Sequence, residues 1–388
     1  MSALPTNSDS LPTASIPVLD PWLQDLQAWI ECESPSADTG AVTRMVALVE
    51  ARAQALGLRT SRITLDGTPA PALVASNRAE GDERPGILII GHLDTVHPVG
   101  TLARNAWRAE GDQLYGPGIY DMKAGVYLAL QALGAVSAPG ATRLPVDLLL
   151  VPDEEIGSLH SRPLTESLAR RARYGLVCEP ARANTGFCVT ARKGTGMLRV
   201  VAHGRPSHAG VAHEKGRSAI REIGHQILAI EAMTDYAQGV TVSIGTIEGG
   251  TTRNVVPSRC ELFADFRVPD MARGQALLER MRALRPHDPD VRLEIEADMN
   301  RPPMEPTPAT AELLARAQGV AQQSGWTLAA APMTGGGSDA NFAAAVGLPS
   351  LDGLGPDGDG AHTLYEHILV STMAQRLAFW QRMLRELD

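Results

Sequence analysis

Apolar runs that end in acidic or histidine residues constrain the fold of this chain more than any other feature of its sequence. Three such runs are closely followed by these residues: 86–91 by His92, 146–151 by Asp153-Glu154-Glu155, and 174–178 by Glu179. An Ala/Leu-rich stretch with helical character, residues 124–136, separates the first two runs. Apolar strands that alternate with helices predict a largely parallel sheet with helices on both faces. Ligands bind such sheets beyond the carboxyl ends of the strands, where these residues fall.

The residue types at these positions indicate a hydrolytic metal site. A further acid, Asp121, follows the tight turn Gly116-Pro117-Gly118, which can bring a carboxylate back over the strand ends. Asp, Glu and His without Cys are the ligands with which hydrolases hold a metal-activated water and leave room for a substrate. The pattern therefore predicts a two-metal amide hydrolase.

Individual roles follow from the chemistry of each side chain, and each has an ordinary alternative. His92 and Asp94 are two apart on an extended segment, so Asp94 is expected to accept the second ring N–H of His92. A strand-end histidine beside an acid is the alternative. A carboxylate can bridge two cations through its two oxygens, which makes Asp121 the expected bridging ligand. The alternative is that Asp121 caps the helix that follows it.

Glu154 and Glu155 are adjacent and cannot both point one way in a regular strand. We expect Glu155 to be a ligand and Glu154 to be the base that takes a proton from water and gives it to the leaving amine. An acidic pair in a surface loop is the alternative. His362 lies in a glycine-rich loop that could approach a site. Seven other histidines lack such a context and are interpreted as surface or core residues: His97, His160, His203, His213, His225, His287 and His367.

Changes in sequence character predict the domain organisation. Residues 1–18 are rich in Pro, Ser and Thr and are expected to form a flexible tail. Residues 19–190 and 303–388 are expected to form the catalytic α/β domain. A β-α-β-β-α-β order of elements in 191–302 predicts an inserted α+β, ferredoxin-like lid domain.

Composition excludes several classes of partner. The chain has 388 residues, of which 44% are hydrophobic, so it can bury a large core. Its formal net charge of -9 argues against nucleic acid and anionic membrane as partners. The four scattered cysteines are expected to be free thiols of a reducing cytoplasm. The N-terminus lacks a secretory pattern and no apolar run could span a bilayer, so a cytoplasmic enzyme is predicted, or a periplasmic one whose signal was removed.

Taken together, the motifs resemble those of the M20 metallopeptidases, the dinuclear zinc exopeptidases and amidohydrolases. The resemblance extends from about residue 20 to the end of the chain and rests on short motifs in the family order: Gly-His-x-Asp-Thr-Val, Gly-x-Gly-x-x-Asp-x-Lys, Asp-Glu-Glu-x-Gly-Ser, Glu-Pro, Ser-His-Ala-Gly and His-x-x-x-Glu. It implies a zinc-exopeptidase fold whose inserted lid also mediates homodimerisation.

The same resemblance implies a role for each matching residue. It implies that one metal ion is bound by His92, Asp121 and Glu179 and that the other is bound by Asp121, Glu155 and His362. Two Zn²⁺ ions are implied, although oxygen and nitrogen ligands leave Co²⁺ and Mn²⁺ open. His208 would cross from a partner subunit to steady the developing oxyanion, and Asn254 would lie near that oxyanion.

Within the family the chain is most similar to glutamate carboxypeptidases that act on folate-like N-acyl glutamates. This implies release of a C-terminal glutamate from a small N-acyl amino acid. Arg267 and Arg301 match positions suited to a substrate carboxylate, with surface arginines beside acids as the alternative. The N–H groups of Gly336, Gly337 and Ser338 could cradle that carboxylate. The other readings are a deacylase, dipeptidase or aryl-amine aminohydrolase and, more remotely, a non-catalytic binding member.

Overall fold

A computed structural model describes residues 21–138 and 140–388. The expected flexible tail, 1–18, lies outside the described residues. The helices have these bounds: α1 Pro21–Glu31, α2 Thr39–Ala55, α3 Ala124–Gly134, α4 Arg162–Ala169, α5 Ala219–Glu231, α6 Met271–Arg282, α7 Pro308–Gln323, α8 Ala340–Ala345 and α9 Val370–Glu386.

The strands form three sheets. Their bounds are β1 Arg59–Leu65, β2 Thr68–Ser76, β3 Ile87–His92, β4 Arg108–Glu110, β5 Gln113–Tyr115, β6 Val146–Val151, β7 Tyr174–Val177, β8 Gly194–His203, β9 Thr241–Gly249, β10 Arg259–Val268, β11 Arg292–Arg301, β12 Ser350–Leu351, β13 Gly358–Asp359 and β14 His367–Leu369.

The largest sheet has the order β1-β2-β6-β3-β7-β12. Strands β6, β3, β7 and β12 are mutually parallel, and β2 is antiparallel to both of its neighbours. All six residues of β3 are buried, because β3 lies between two strands with helices on each side. Helices α1, α2, α3, α7 and α9 contribute to the core on one face, and α4 and α8 to the core on the other. The predicted largely parallel sheet with helices on both faces is confirmed.

Helix α2 shows how the local sequence produces one of these layers. Asp38 caps its first turn, since the Asp38 carboxylate accepts the N–H of Ala41 at 2.9 Å. Its buried residues Val42, Met45, Val46 and Val49 recur at helical spacing and form one stripe. That stripe packs against β2 and fixes the helix on the sheet.

The second sheet is antiparallel with the order β11-β8-β10-β9 and has a hydrophobic core of its own. Residues of α5 and α6 fill that core, and the order along the chain is β8-α5-β9-β10-α6-β11. The predicted β-α-β-β-α-β, ferredoxin-like arrangement is therefore confirmed. Strand β9 lies at one edge, and Ile247 on it is 52% exposed.

A small third sheet has the order β13-β14-β5-β4 and joins distant parts of the chain. It pairs residues 113–115 with residues 367–369, close to the C-terminal helix. All four cysteines are free, as predicted. No helix among the described residues is long and apolar enough to cross a membrane.

The close approach of α3 to the end of β7 gives a test of this packing. A Cβ on Gly125 would lie 2.0 Å from the carbonyl oxygen of Cys178, so Gly125→Ala forces the helix away from the sheet. We expect a loss of about 1–3 kcal/mol in the free energy of unfolding, measured by urea denaturation. A Cβ on Gly319 of α7 would have no atom within 4 Å, so Gly319→Ala is the matched control and should stabilise by about 0.5–1 kcal/mol. Equal stability of the two variants would contradict this packing.

Candidate dinuclear metal centre

Three adjacent parallel strands bring their carboxyl ends to one place. His92 is the last residue of β3, Glu154 and Glu155 begin a short 3-10 turn after β6, and Glu179 follows β7 by two residues. Because β3 lies between β6 and β7, the side chains that follow these strands meet at one edge of the sheet. The predicted convergence at this edge is found.

Five of the predicted residues form two groups that share one carboxylate. His92, Asp121 and Glu179 form the first group, and Asp121, Glu155 and His362 form the second. Within each group the candidate ligand atoms lie within 4.8 Å of one another. One oxygen of Asp121 is 3.2 Å from His92 Nε2, and its other oxygen is 3.3 Å from His362 Nε2. The two oxygens of Asp121 thus face different groups, as a bridging carboxylate requires.

The segment that carries Asp121 is irregular. Asp121 and Met122 have non-helical backbone angles, and the peptide bond between them is cis. The residue at the N-cap of α3 is Lys123, and no side chain accepts a hydrogen bond from the first turn there. The alternative reading of Asp121 as a helix cap is therefore wrong.

The carboxylate of Asp94 orients a different group from the one expected. The ring atom Nδ1 of His92 lies 2.9 Å from the backbone carbonyl of Asp94 and 3.5 Å from its carboxylate, so the carbonyl is the acceptor. The carboxylate instead accepts the N–H groups of Glu154 and Glu155, each at 3.1 Å, and the hydroxyl of Ser36 at 2.6 Å. Asp94 therefore fixes the His92 ring through its main chain and the 154–155 turn through its side chain.

Glu154 and Glu155 point to different partners. Glu155 Oε2 lies 3.3 Å from His362 Nε2, within the second group. Glu154 Oε1 accepts a hydrogen bond of 2.8 Å from Arg301, whose other nitrogen donates to Asp339 at 2.7 Å. The side chains of Glu154 and Glu155 are 11% and 7% exposed, so the alternative of a solvated surface pair is wrong.

Burial and mutual repulsion disturb the ionisation of these groups. Burial raises the pKa of Glu154 to about 8, although Arg301 opposes the shift. Burial and the charge of Asp121 raise the pKa of Glu179. Hydrogen bonds with Asp121 and Glu155 raise the pKa of His362 to about 10. Asp121 differs from the glutamates, because its hydrogen bonds with His362 and His92 lower its pKa despite burial.

This donor set fits divalent cations. Glu155 Oε1 is buried and has no hydrogen-bond partner among the described residues. In residues 21–138 and 140–388 the carboxylate of Glu179, whose residue is 7% exposed, also makes no hydrogen bond. Buried carboxylate oxygens left without donors are costly unless a cation compensates them. Two groups of oxygen and nitrogen donors with open positions suit a catalytic metal pair.

His208 and Asn254 lie together but away from this centre. A β-bridge joins His208 to Val255, and the N–H of Ala209 donates to the carbonyl of Asn254 at 3.0 Å. Both residues are exposed. Neither side chain forms a hydrogen bond or ion pair with the two groups in the part of the chain that the structure describes.

Arg301 and Ser338 are already occupied by protein partners, which corrects their expected substrate roles. Arg301 is 4% exposed and, besides its contacts with Glu154 and Asp339, donates to the Ser158 hydroxyl at 3.1 Å. It is therefore neither a surface arginine nor a free fork for a substrate carboxylate. The N–H of Ser338 donates to Asn341, and its hydroxyl donates to Asp352 at 2.6 Å.

Arg267, Gly336 and Gly337 remain compatible with substrate binding. Arg267 pairs with Asp265 on the surface and donates to the carbonyl of Gly335 at 3.1 Å. Arg192 donates to the carbonyl of Gly336 at 3.0 Å. The N–H groups of Gly336 and Gly337 make no hydrogen bond with the described residues, so both are available to an anion.

Comparison with known proteins shows the same relationship in three ways. Residues 88–386 match the model of peptidase family M20/M25/M40. Carboxypeptidase G2 of Pseudomonas sp. (strain RS-16) is 29% identical over 94% of this chain and 89% of its own length. Acetylornithine deacetylase of Myxococcus xanthus is 32% identical over 61% of this chain and 66% of its own length. The fold matches that of an M20 family metallo-carboxypeptidase from Sulfolobus solfataricus, with a TM-score of 0.76, 17% identity and coverage of 94% of this chain and 99% of that one.

The chain belongs to peptidase family M20/M25/M40. It is therefore an enzyme, a metal-dependent peptidase or amidohydrolase, and the non-catalytic alternative is set aside. Its relatives act on different substrates by name, which leaves the substrate of this M20 enzyme to be inferred from its own site.

Sequence reasoning gave no role at this M20 centre to two buried residues, His97 and Glu366. His97, interpreted as an ordinary surface or core histidine, is buried and lies 2.6 Å from a carboxylate oxygen of Glu366. Glu366 is fully buried and also accepts N–H groups from the turn that carries Asp121. The available signal was the spacing of Glu366, four residues after His362.

If Asp121 is shared by the two ligand groups, its replacement should affect more bound metal ions than the replacement of a ligand in one group. Asparagine lacks the second anionic oxygen, so Asp121→Asn should weaken both metal equivalents, whereas His362→Gln should weaken one. We expect each loss to exceed the roughly 10–100-fold that removal of a group behind a ligand costs. Calorimetric titration with Zn²⁺ measures the dissociation constants of both metal equivalents. Loss of the same single equivalent in both variants would show that Asp121 is not shared.

Proposed function

We propose that this enzyme hydrolyses the amide bond between an acyl group and an amino acid with a free α-carboxylate, with glutamate as the preferred amino acid. The observation that carries this proposal is the pair of ligand groups that share Asp121 beside the buried acid Glu154. The similarity to carboxypeptidase G2 over 94% of the chain supports glutamate. A deacylase of another N-acyl amino acid is the second candidate, supported by the similarity to acetylornithine deacetylase.

In this proposal His92, Asp121 and Glu179 hold one Zn²⁺ ion, and Asp121, Glu155 and His362 hold the other. When bound, the two ions polarise the scissile carbonyl and lower the pKa of the attacking water.

Glu154 is the proposed general base and acid. It removes a proton from the attacking water and returns it to the departing amine. Burial raises the pKa of Glu154, and a carboxylate of higher pKa is a stronger proton acceptor. The hydrogen bond of 2.8 Å from Arg301 to Glu154 Oε1 fixes the direction of the carboxylate. The other carboxylate oxygen of Glu154 is proposed to carry the proton.

The carboxylate of the substrate is proposed to bind the free N–H groups of Gly336 and Gly337. Arg192 and Arg267 support this arrangement, because they hold the carbonyls of Gly336 and Gly335. Peptide groups whose carbonyls face cations present their N–H groups to an anion on the other side. Ser338 does not take part, since both of its polar groups are occupied.

The acyl group is proposed to be apolar, and an aromatic acyl group fits best. Several loops that carry site residues also carry exposed apolar side chains: Val96 at 40%, Ile156 at 47%, Leu364 at 44% and Tyr365 at 59% exposure. These residues follow Asp94, Glu155 and His362 by one to three positions. Exposed apolar groups at the rim of a site favour an apolar ligand over a succinyl or acetyl group.

A substrate panel tests the proposed specificity with zinc-loaded enzyme. Benzoyl-, succinyl- and acetyl-glutamate vary only the acyl group, and benzoyl-alanine and benzoyl-lysine vary only the amino acid. We expect kcat/KM for benzoyl-glutamate to exceed the others by at least about 10-fold, because an unfilled apolar pocket or an unpaired carboxylate site costs that much.

Glu154→Gln is the control in the same assay. It should bind two Zn²⁺ equivalents and lose at least about 10²–10⁴-fold in kcat, because the amide cannot move a proton. A largely active variant would contradict the role of Glu154. A preference for acetyl or succinyl substrates would favour the deacylase function instead.

Residues 191–302 are proposed to act as a lid and dimerisation domain that brings His208 and Asn254 to the site of a partner subunit. Arg301 beside Glu154 pairs in register with Thr195 at the start of β8. His208 lies beyond the far end of this strand of 10 residues, about 30 Å away. The unpaired edge of β9, with exposed Ile247, supports pairing with a second copy.

Subunit mixing tests whether His208 acts across the dimer. His208→Ala and Glu154→Gln should each have low activity alone. After subunit exchange, about a quarter of wild-type activity should return, because half of the dimers are mixed and one of their two sites is intact. No recovery, with exchange verified by mass spectrometry, would show that His208 acts within its own chain.

A further inference from the structure

A buried carboxylate joins the three segments that carry His92, Asp121 and His362. Glu366 is 0% exposed. Its Oε2 accepts from His97 Nε2 at 2.6 Å and from the N–H of Gly118 at 2.9 Å. Its Oε1 accepts the N–H groups of Tyr120 and Asp121, both at 2.9 Å. Both oxygens are thus saturated, with two donors each.

The three segments have few other constraints near the centre. The 118–121 turn is irregular, and Gly118 has a φ of 71°. His362 also has a positive φ of 65°, and its side chain is 54% exposed. His97 follows His92 by five residues, beyond the end of β3. Besides the Glu366 carboxylate, the pairing of β14 with β5 and a hydrogen bond of 3.4 Å from the N–H of Gly116 to the carbonyl of Glu366 hold the turn and the loop together among the described residues.

We propose that Glu366, held by His97, is a positioning residue that preorganises the second metal group, Asp121, Glu155 and His362. The inference rests on the proposed metal function of those residues. Glu366 sets the main chain of Asp121 directly and immediately precedes β14, the strand that anchors the His362 loop. The first group depends on it less, because His92 and Glu179 are held by the ends of β3 and β7.

The charge of Glu366 is suited to this task. Four hydrogen bonds to one ionised carboxylate are stronger than bonds to a neutral acceptor, and they resist reorganisation when a ligand binds. An amide in place of the carboxylate would turn an NH₂ group toward two N–H donors. Glu366→Gln therefore disturbs the turn with almost no change in side-chain volume.

Stepwise binding of Zn²⁺ by calorimetry, and of Co²⁺ by visible absorption, tests this inference on the full chain stripped of metal. For wild type we expect two tight equivalents. For Glu366→Gln we expect one tight equivalent and a second weakened about 10–100-fold, as for other groups that orient metal ligands. Excess metal should restore much of the lost activity, because the reacting groups themselves are unchanged.

Glu222→Gln is the matched control. Glu222 is also buried, at 1% exposure, and also holds a loop through two N–H groups, those of His287 and Asp288, but it lies on α5, which packs on the second sheet. It should lower thermal stability and leave both metal constants unchanged. An equal loss of metal affinity in both variants would show that Glu366 acts only through the overall stability of the protein, and it would overturn the inference.

The remaining outcomes are also distinct. Wild-type binding of both equivalents by a folded Glu366→Gln overturns the inference and leaves the proposed function intact. Failure of the wild type to bind two equivalents contradicts the proposed function itself. If Glu366→Gln does not fold, His97→Ala removes one donor and keeps the three N–H contacts. It should weaken the second equivalent in the same direction by a smaller factor, and unchanged binding there overturns the inference.

Discussion

Repulsion among carboxylates at one edge of the sheet is the constraint on which the rest of this structure depends. Asp94, Asp121, Glu154, Glu155 and Glu179 all face a region where Arg301 is the principal guanidinium. Two like charges 4 Å apart repel by about 4 kcal/mol at the effective dielectric constant near a protein surface. Burial is the main cause of the raised pKa values of Glu154, Glu155 and Glu179, and the charges of neighbouring acids add to it. Two divalent cations would place four positive charges in the same volume and would offset this repulsion.

Other carboxylates and a guanidinium group form hydrogen bonds that hold the acidic segments in place against this repulsion. Asp94 holds the 154–155 turn through two N–H groups, and Glu366 holds the 118–121 turn through three. Arg301 holds Glu154 through a hydrogen bond to its Oε1. The ends of β3 and β7 position His92 and Glu179, and the carbonyl of Asp94 also holds the His92 ring. The two candidate metal groups share Asp121 and differ in their other members, since His92 and Glu179 lie at strand ends, whereas Glu155 and His362 lie on a turn and a loop.

Sequence reasoning reached the strand-end residues because apolar runs and short motifs are local signals. The ends of β3, β6 and β7 could be predicted from 86–91, 146–151 and 174–178, and the ligand candidates followed. The contact of His97 with Glu366 spans 269 positions and depends on the third sheet, whose short strands carry no clear apolar pattern. Arg301 was expected to bind the substrate. Its burial could not be foreseen from the sequence, because it arises only when the end of β11 packs against Glu154 and Asp339. The half-exposed edge strand β1 was not predicted for a similar reason, since its polar residues lack a continuous apolar run.

The attachment of the second sheet places its junctions beside the chemistry. Arg192, two residues before β8, pairs with Asp352, and Arg301, the last residue of β11, pairs with Glu154 and Asp339. Both buried arginines therefore hold the points where the chain enters and leaves this sheet. A rotation of about 10° at these points would move His208, roughly 30 Å away, by about 5 Å. The two guanidinium groups would scarcely move, so such a rotation would keep the contact of Arg301 with Glu154.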